Sequence, residues 1–183
     1  MRKGGGKSKG SSFERLICKE LSLWMSHGTM EDVYWRSAMS GGRSTVAASK
    51  GKRLAAQAGD ISCINPFGHP LTDQFIIECK AYADLRFAGI LTATGTLCNF
   101  WKELNLEARK YDKLPMLIAR QNQMPTVVCL NRKGLDTLVL KLKCVLTAPK
   151  LNMYAVLLSD FLEYAKRPAE KTVLNNKPAG VGE

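Results

Sequence analysis

The clearest periodic pattern in the chain lies near the N-terminus, where apolar residues recur every three or four positions up to about Ser26. This spacing places them on one face of an amphipathic helix. We predict that the helix begins at Ser11 or Ser12, because a serine followed closely by Glu14 is typical of a capping box. The predicted apolar face consists of Phe13, Leu16, Ile17, Leu21 and Trp24.

Further along, short apolar runs separated by turn residues predict strands that alternate with helices. The predicted strands cover residues 33–36, 60–64, 74–80, 115–119, 126–130 and 154–158. The predicted helices cover residues 96–110 and 159–165, and residues 134–142 are ambiguous between helix and strand. This order of elements indicates an α/β fold in which helices flank a mixed central β-sheet.

The length of 183 residues suits a single domain with its own core. We expect a flexible basic arm over residues 1–10, one domain over residues 11–166 and a disordered tail over residues 167–183. Residues 37–58 show no sustained periodicity, and so long a loop is usually functional or disordered. No apolar run is long enough for a membrane span, and the N-terminus lacks the apolar stretch of a signal peptide. We therefore expect an intracellular protein of the cytoplasm or nucleoid, with no membrane partner.

The charge of the chain predicts a polyanionic partner. The formal net charge is +11, and there is no acid between Asp32 and Asp60. Nucleic acid is the simplest partner for so basic a domain, although a basic surface that only aids solubility is the alternative. The cations expected to follow the DNA backbone include Lys7 and Lys9 in the arm and Arg43, Lys50, Lys52 and Arg53 in the loop.

One motif suggests the chemistry: Glu78-Cys79-Lys80, which closes the apolar run of residues 75–77. Side chains alternate along a strand, so Glu78 and Lys80 would point the same way and Cys79 into the core. Asp60 begins the preceding predicted strand, about one hairpin away. Mg²⁺ takes one or two carboxylates, and a neighbouring lysine can hold or activate the attacking water. The pattern suggests a metal-dependent phosphodiesterase that acts on nucleic acid.

Each of these residues also has a purely structural interpretation. At ordinary usage, Glu-x-Lys arises by chance about once in a few hundred residues. Gly59-Asp60 is common turn chemistry, and the capping box accounts for Glu14. Together they favour the metal site, because two carboxylates with a third acid on a helix require all of them.

The order of these motifs resembles that of the PD-(D/E)xK nuclease superfamily: Glu on the first helix, Gly-Asp on the second strand and Glu-x-Lys on the third. Within it, the chain is most similar to archaeal-type Holliday-junction resolvases, which also occur in viruses. Their Lys-Gly stretch before a helix that opens with Glu-Arg corresponds to residues 9–15, Lys-Gly-Ser-Ser-Phe-Glu-Arg. Their first strand, which leads through Arg-Ser to Ser-Gly, corresponds to residues 33–41. The resemblance covers residues 9–130. The stretch 41–58 is longer than in a minimal resolvase and residues 131–149 lack a clear match, which leaves the substrate open.

The resemblance implies a restriction-endonuclease-like fold and a homodimeric, metal-dependent endonuclease that cleaves branched DNA. It implies that Mg²⁺, or Mn²⁺ in its place, is held by Asp60, Glu78, the Cys79 carbonyl and Glu14. The catalytic residues would then be Glu14, Asp60, Glu78 and Lys80, with Lys80 orienting or deprotonating the attacking water. The implied phosphate contacts, beside the arm and loop cations, are Ser11, Arg15, Arg36, Ser37 and Ser40.

Alternatives remain open at this point. Ser37 and Ser40 are equally consistent with ordinary loop serines. The enzyme can also be another nuclease of the superfamily, either sequence-specific or an exonuclease. The chain can instead be a non-catalytic basic DNA-binding protein in which the acids are structural. A virus-encoded protein is compatible with each of these interpretations.

Overall fold

The computed structural model describes residues 5–37, 58–138 and 144–168, with side chains from residue 10 onward. The helices are α1 (Gly5–Met25), α2 (His69–Thr72), α3 (Thr96–Lys110), α4 (Arg132–Thr137) and α5 (Leu158–Tyr164). The strands are β1 (Tyr34–Arg36), β2 (Ile61–Cys63), β3 (Phe75–Tyr82), β4 (Leu114–Gln121), β5 (Val127–Leu130), β6 (Leu146–Ala148) and β7 (Met153–Leu157). In these three ranges, no helix combines the length and apolar character needed to cross a membrane.

Five strands form a mixed sheet in the order β3-β4-β5-β7-β6. The pair β3 and β4 is parallel, and the other neighbouring pairs are antiparallel. Parallel neighbours need a crossover connection, which α3 supplies between β3 and β4. The strand β3 therefore lies at one edge of this sheet. The predicted α/β fold with a mixed central sheet flanked by helices is confirmed.

Side chains alternate along each strand, so the sheet has apolar side chains on both faces, and helices cover both of them. Phe75, Ile77 and Cys79 of β3 join the core that faces α1, whereas Ile76 joins the core that faces α3. The face of α3 in this second core consists of Leu97, Cys98, Trp101, Leu104 and Ala108. Because α3 has a full set of apolar positions at helical spacing, both of its ends agree with the sequence prediction.

The start of α1 differs from the prediction. The helix begins at Gly5, so Ser11 and Ser12 lie inside it and neither caps its N-terminus. Residues 5–10 include three glycines, which are weak helix formers, and for this reason the serines looked like the better start. The capping-box explanation of Glu14 is consequently wrong. Leu16 is also 43% exposed, although the prediction placed it on the apolar face.

The strands β1 and β2 stand apart from the five-stranded sheet. The strand β2 pairs antiparallel with β1, and these two strands form a separate two-stranded sheet. Two further elements, α2 and β6, were not predicted, and the ambiguous stretch contains the end of α4. Residues 1–4 of the predicted arm and residues 169–183 of the predicted tail lie outside the described residues, as does most of the predicted loop.

Candidate active site

Asp60 occupies the open edge of β3. Its backbone N–H donates to the Ile77 carbonyl at 2.8 Å, and its Oδ2 accepts from the Cys79 N–H at 2.9 Å. The preceding residue, Gly59, has a φ of +83°, and a Cβ there would lie only 2.6 Å from the Ile77 carbonyl oxygen. Only glycine fits so close to the β3 backbone in this conformation. The Gly-Asp pair therefore places a carboxylate against the edge strand.

Glu78 and Lys80 lie on the face of β3 that meets α3. The Lys80 ammonium forms an ion pair with Glu78 Oε1, and it lies 3.9 Å from Asp60 Oδ2. The three side chains are only 13–21% exposed. Glu78 and Lys80 line a cavity of about 120 Å³, which we call the acidic pocket; its other residues are Phe100, Glu103, Leu104 and Glu107.

The electrostatics of this group follow from its burial. Burial raises the pKa of Glu78 to about 7, and the nearby Asp60 carboxylate adds to the shift while Lys80 opposes it. Burial also raises the pKa of Asp60, against the effects of Lys80 and the Cys79 N–H. For Lys80, burial lowers the pKa, but the two carboxylates outweigh it and the net shift is upward. Lys80 is therefore a charged ammonium at neutral pH.

Glu14 does not join the two carboxylates at β3. It projects from α1, and its carboxylate accepts a hydrogen bond from the Arg36 guanidinium in a half-buried ion pair. In the part of the chain that the structure describes, no group of three His, Cys, Asp or Glu side chains could hold a metal ion. The predicted third metal ligand is thus engaged with the residue predicted to grip phosphate.

The remaining predicted phosphate contacts fall into three groups. Arg15 is exposed on α1, and Ser11 is half-buried on the same helix. Ser37 is only 5% exposed, and its hydroxyl lies 2.6 Å from that of Ser62. The side chains of Lys7, Lys9, Ser40, Arg43, Lys50, Lys52 and Arg53 lie outside the described residues.

Sequence reasoning missed the contribution of α3 to the pocket. Glu103 and Glu107 are four residues apart, and Phe100 precedes Glu103 by three, so all three share one helical face. The Lys80 ammonium lies 5.3 Å from the centroid of the Phe100 ring, within the range of a cation–π interaction. The spacing of these residues was available, because the bounds of α3 were predicted correctly. The sequence did not show that this face would meet Glu78.

An edge strand that carries Glu-x-Lys, next to an Asp that precedes a neighbouring strand, is the arrangement that defines a PD-(D/E)xK nuclease. The chain belongs to the family described as "Phage putative PDDEXK endonuclease", whose profile matches residues 5–157. No curated protein and no solved structure matches the chain. The predicted superfamily is confirmed, and the family comes from phages. Nucleases of this superfamily act on DNA and generally use divalent metal ions.

Proposed function

We propose that the protein is a Mg²⁺-dependent endonuclease that hydrolyses phosphodiester bonds in branched DNA, with a Holliday junction as its substrate inside the cell. The observation that carries the catalytic part is the convergence of Asp60, Glu78 and Lys80 at the open edge of β3. The choice of branched DNA is supported by the motif order shared with junction resolvases.

The side chains at this edge fit a hard divalent cation. Asp60 and Glu78 provide carboxylate oxygens, which Mg²⁺ and Mn²⁺ prefer. The Cys79 N–H points to the Asp60 side of β3, and its carbonyl points there too, because both groups of one strand residue lie on the same side. The Lys80 ammonium already lies against both carboxylates, so the centre accommodates positive charge. When bound, the metal would lower the pKa of a bound water and offset charge on the scissile phosphate.

Lys80 would act as a hydrogen-bond donor rather than as a general base. The carboxylates beside it raise its pKa, which keeps the ammonium charged at neutral pH. A fixed ammonium at the reacting phosphate stabilises the charge that develops there in the transition state. It would also orient the attacking water, without taking a proton from it. The raised pKa of Lys80 thus supports the role of orienting the water over the role of deprotonating it.

Glu14 would act as a positioning residue for Arg36. The guanidinium of Arg36 is held by Glu14, and the next residue, Ser37, donates its backbone N–H to the Asp60 carbonyl at 2.9 Å. Arg36 is thereby fixed close to Asp60, where it would contact a phosphate near the cut. A paired arginine gives bidentate phosphate recognition with little loss of side-chain entropy.

A four-way junction needs two symmetrical cuts, which a two-fold homodimer would supply from two identical sites. The test uses a synthetic four-way junction and a linear duplex of the same sequence, each with Mg²⁺, with Mn²⁺ or with EDTA. We expect paired nicks in the junction with either metal, none with EDTA, and a dimer by light scattering. Equal cleavage of the linear duplex would indicate another nuclease of the superfamily. Metal-independent binding without any cleavage would indicate a non-catalytic DNA-binding protein.

A further inference from the structure

The helix α3 separates two surfaces of opposite charge. Glu103 and Glu107 line the acidic pocket on one side. On the other side, between α3 and the turn at residues 149–152, lies a cavity of about 380 Å³. We call it the basic groove. Its charged side chains are Lys102, Arg109, Lys113 and Lys150, and the amide side chains of Asn105 and Asn152 lie beside them.

No carboxylate lines the basic groove, although four cations do. Lys102, Arg109 and Lys150 are exposed, and within the described ranges none of these three forms an ion pair with an acid. The Lys113 ammonium donates to the Thr72 carbonyl at 2.6 Å, so it is held at the groove in a fixed position. The three exposed cations have no acid as a partner in the part of the chain that the structure describes, so they repel one another, and an anionic partner would relieve this repulsion.

The walls of the groove are fixed before any partner binds. Trp101 is 1% exposed, and its indole N–H donates to the Leu151 carbonyl at 3.0 Å, which ties the turn to α3. The side chain of Asn152 accepts from the Arg132 N–H at 3.1 Å, which ties the same turn to the start of α4. A preformed site loses little conformational entropy when it binds its ligand.

We infer that the basic groove binds the sugar-phosphate backbone of a DNA arm, away from the bond that is cut. Lys102 and Arg109 are seven residues apart on α3, which separates them by about 10 Å along the helix axis. Each side chain can therefore meet a different phosphate of a backbone that carries one charge per 3.4 Å of each strand. The body of α3 lies between the groove and Glu78, so the scissile phosphate is not the one that binds here. The inference relies on the proposed function only for the choice of DNA.

The test compares the double substitution Lys102→Gln and Arg109→Gln with a matched control, Lys110→Gln and Lys166→Gln, two exposed lysines that lie outside the groove and form no ion pair within the described ranges. Both pairs remove two exposed positive charges, and glutamine preserves helix propensity on α3. Affinity for a four-way junction is measured in EDTA from low to high salt, so the result does not depend on cleavage. We expect the groove variant to bind about tenfold more weakly at 0.1 M salt, with its log–log salt slope reduced by up to about 2. The control should keep wild-type affinity, and adding Lys150→Gln should deepen the loss.

Two results would overturn the inference: wild-type affinity in the groove variant, or an equal loss in the control. Competition by a mononucleotide at millimolar concentration provides a third arm. If the mononucleotide binds the wild type but not the groove variant, while DNA affinity is the same in both, the groove is a small-ligand site and the DNA assignment fails. Absence of cleavage with Mg²⁺ would instead contradict only the proposed function.

Discussion

The acidic pocket and the basic groove share α3 as a wall, and they differ in burial as well as in charge. At the pocket, Glu78 and Lys80 are largely buried, as is the adjacent Asp60, and each of the three is held by the others or by a backbone N–H. In the groove, Lys102 and Arg109 are exposed and have no acid as a partner among the described residues. Buried charges have fixed positions and shifted pKa values, whereas exposed charges supply long-range attraction that salt weakens. We therefore expect substitutions at the pocket to change the cleavage rate, and substitutions in the groove to change the affinity for DNA.

The largest expected effect concerns the pocket. Asp60→Asn and Glu78→Gln should each reduce the cleavage rate by about 10³-fold or more, because each removes a charged ligand from a group that acts as a unit. Junction affinity in EDTA should stay the same or rise slightly, since an acid that repels phosphate is gone. Single-turnover cleavage and a binding isotherm on the same samples check both statements.

Glu103→Gln is the matched control for Glu78→Gln, because both glutamates line the pocket and only Glu78 belongs to the proposed metal centre. We expect the Glu103 variant to lose less than about tenfold in rate, since its carboxylate acts only through the local field. Near-normal cleavage by the folded Glu78 variant would contradict the site assignment. It would also contradict the expectation that the pocket governs the cleavage rate and the groove the affinity for DNA.

The next effect tests how Asp60 is placed. Gly59→Ala puts a Cβ against the Ile77 backbone at a positive φ, which should cost about 1–3 kcal/mol of stability and displace Asp60 from Cys79. Gly28→Ala is the control: its φ is +84°, but an added Cβ meets nothing within 4 Å. Melting temperatures should fall in both variants, and cleavage only in the first. Full activity in Gly59→Ala would show that the close contact does not set the geometry of the site.

The pH dependence of metal binding tests the contrast between the buried charges at the acidic pocket and the exposed charges of the basic groove. Because burial and Asp60 raise the pKa of Glu78 to about 7, the folded protein keeps a proton there that the unfolded chain releases near 4.5. Without metal, this contribution to stability is present below pH 4.5 and is lost as the pH rises through about 7. Mg²⁺ competes with that proton, so stabilisation by Mg²⁺ should increase between pH 6 and pH 8. Thermal melts with and without Mg²⁺ should diverge over this range in the wild type and stay parallel in Glu78→Gln.

The smallest effect concerns the wall of the groove. Trp101→Phe removes the N–H that ties the turn to α3, which should cost about 1 kcal/mol and weaken junction binding a few-fold. Trp24→Phe is the control, because the Trp24 indole N–H is buried and has no hydrogen-bond partner among the described residues. If both variants bind DNA like the wild type, the groove does not depend on a fixed turn.

The sequence predicted the features that depend on neighbouring residues, and it missed those that depend on residues far apart in the chain. The helix α3 was predicted with its correct ends, because its apolar spacing is complete within fifteen residues. Asp60, Glu78 and Lys80 were found from their order along the chain, and the structure brings them together. The partner of β2 was not predicted, because the strand pairs with β1 across a long intervening stretch. No local pattern records such a choice of partner.

The basic groove was missed for the same reason. Its cations come from α3, from the residue just before β4 and from a turn some forty residues later, and each looks like an ordinary surface lysine or arginine alone. The pairing of Glu14 with Arg36 was also hidden, because the apparent capping box offered a local explanation for Glu14. Functional surfaces made from distant segments need the fold before they can be recognised.

The position of Asp60 has a consequence for how molecules of this protein meet one another. A strand at the edge of a sheet exposes backbone groups that can pair with a strand of a second molecule. Along β3 the groups of Ile77 and Cys79 are instead occupied by Asp60, through its own backbone and its carboxylate. Asp60, the proposed metal ligand, thus also occupies backbone groups through which β3 could pair with the edge strand of a second molecule. Exchanging its side chain for one without a hydrogen-bond acceptor would free the Cys79 N–H for pairing with another strand, while the backbone at position 60 would still occupy the Ile77 carbonyl.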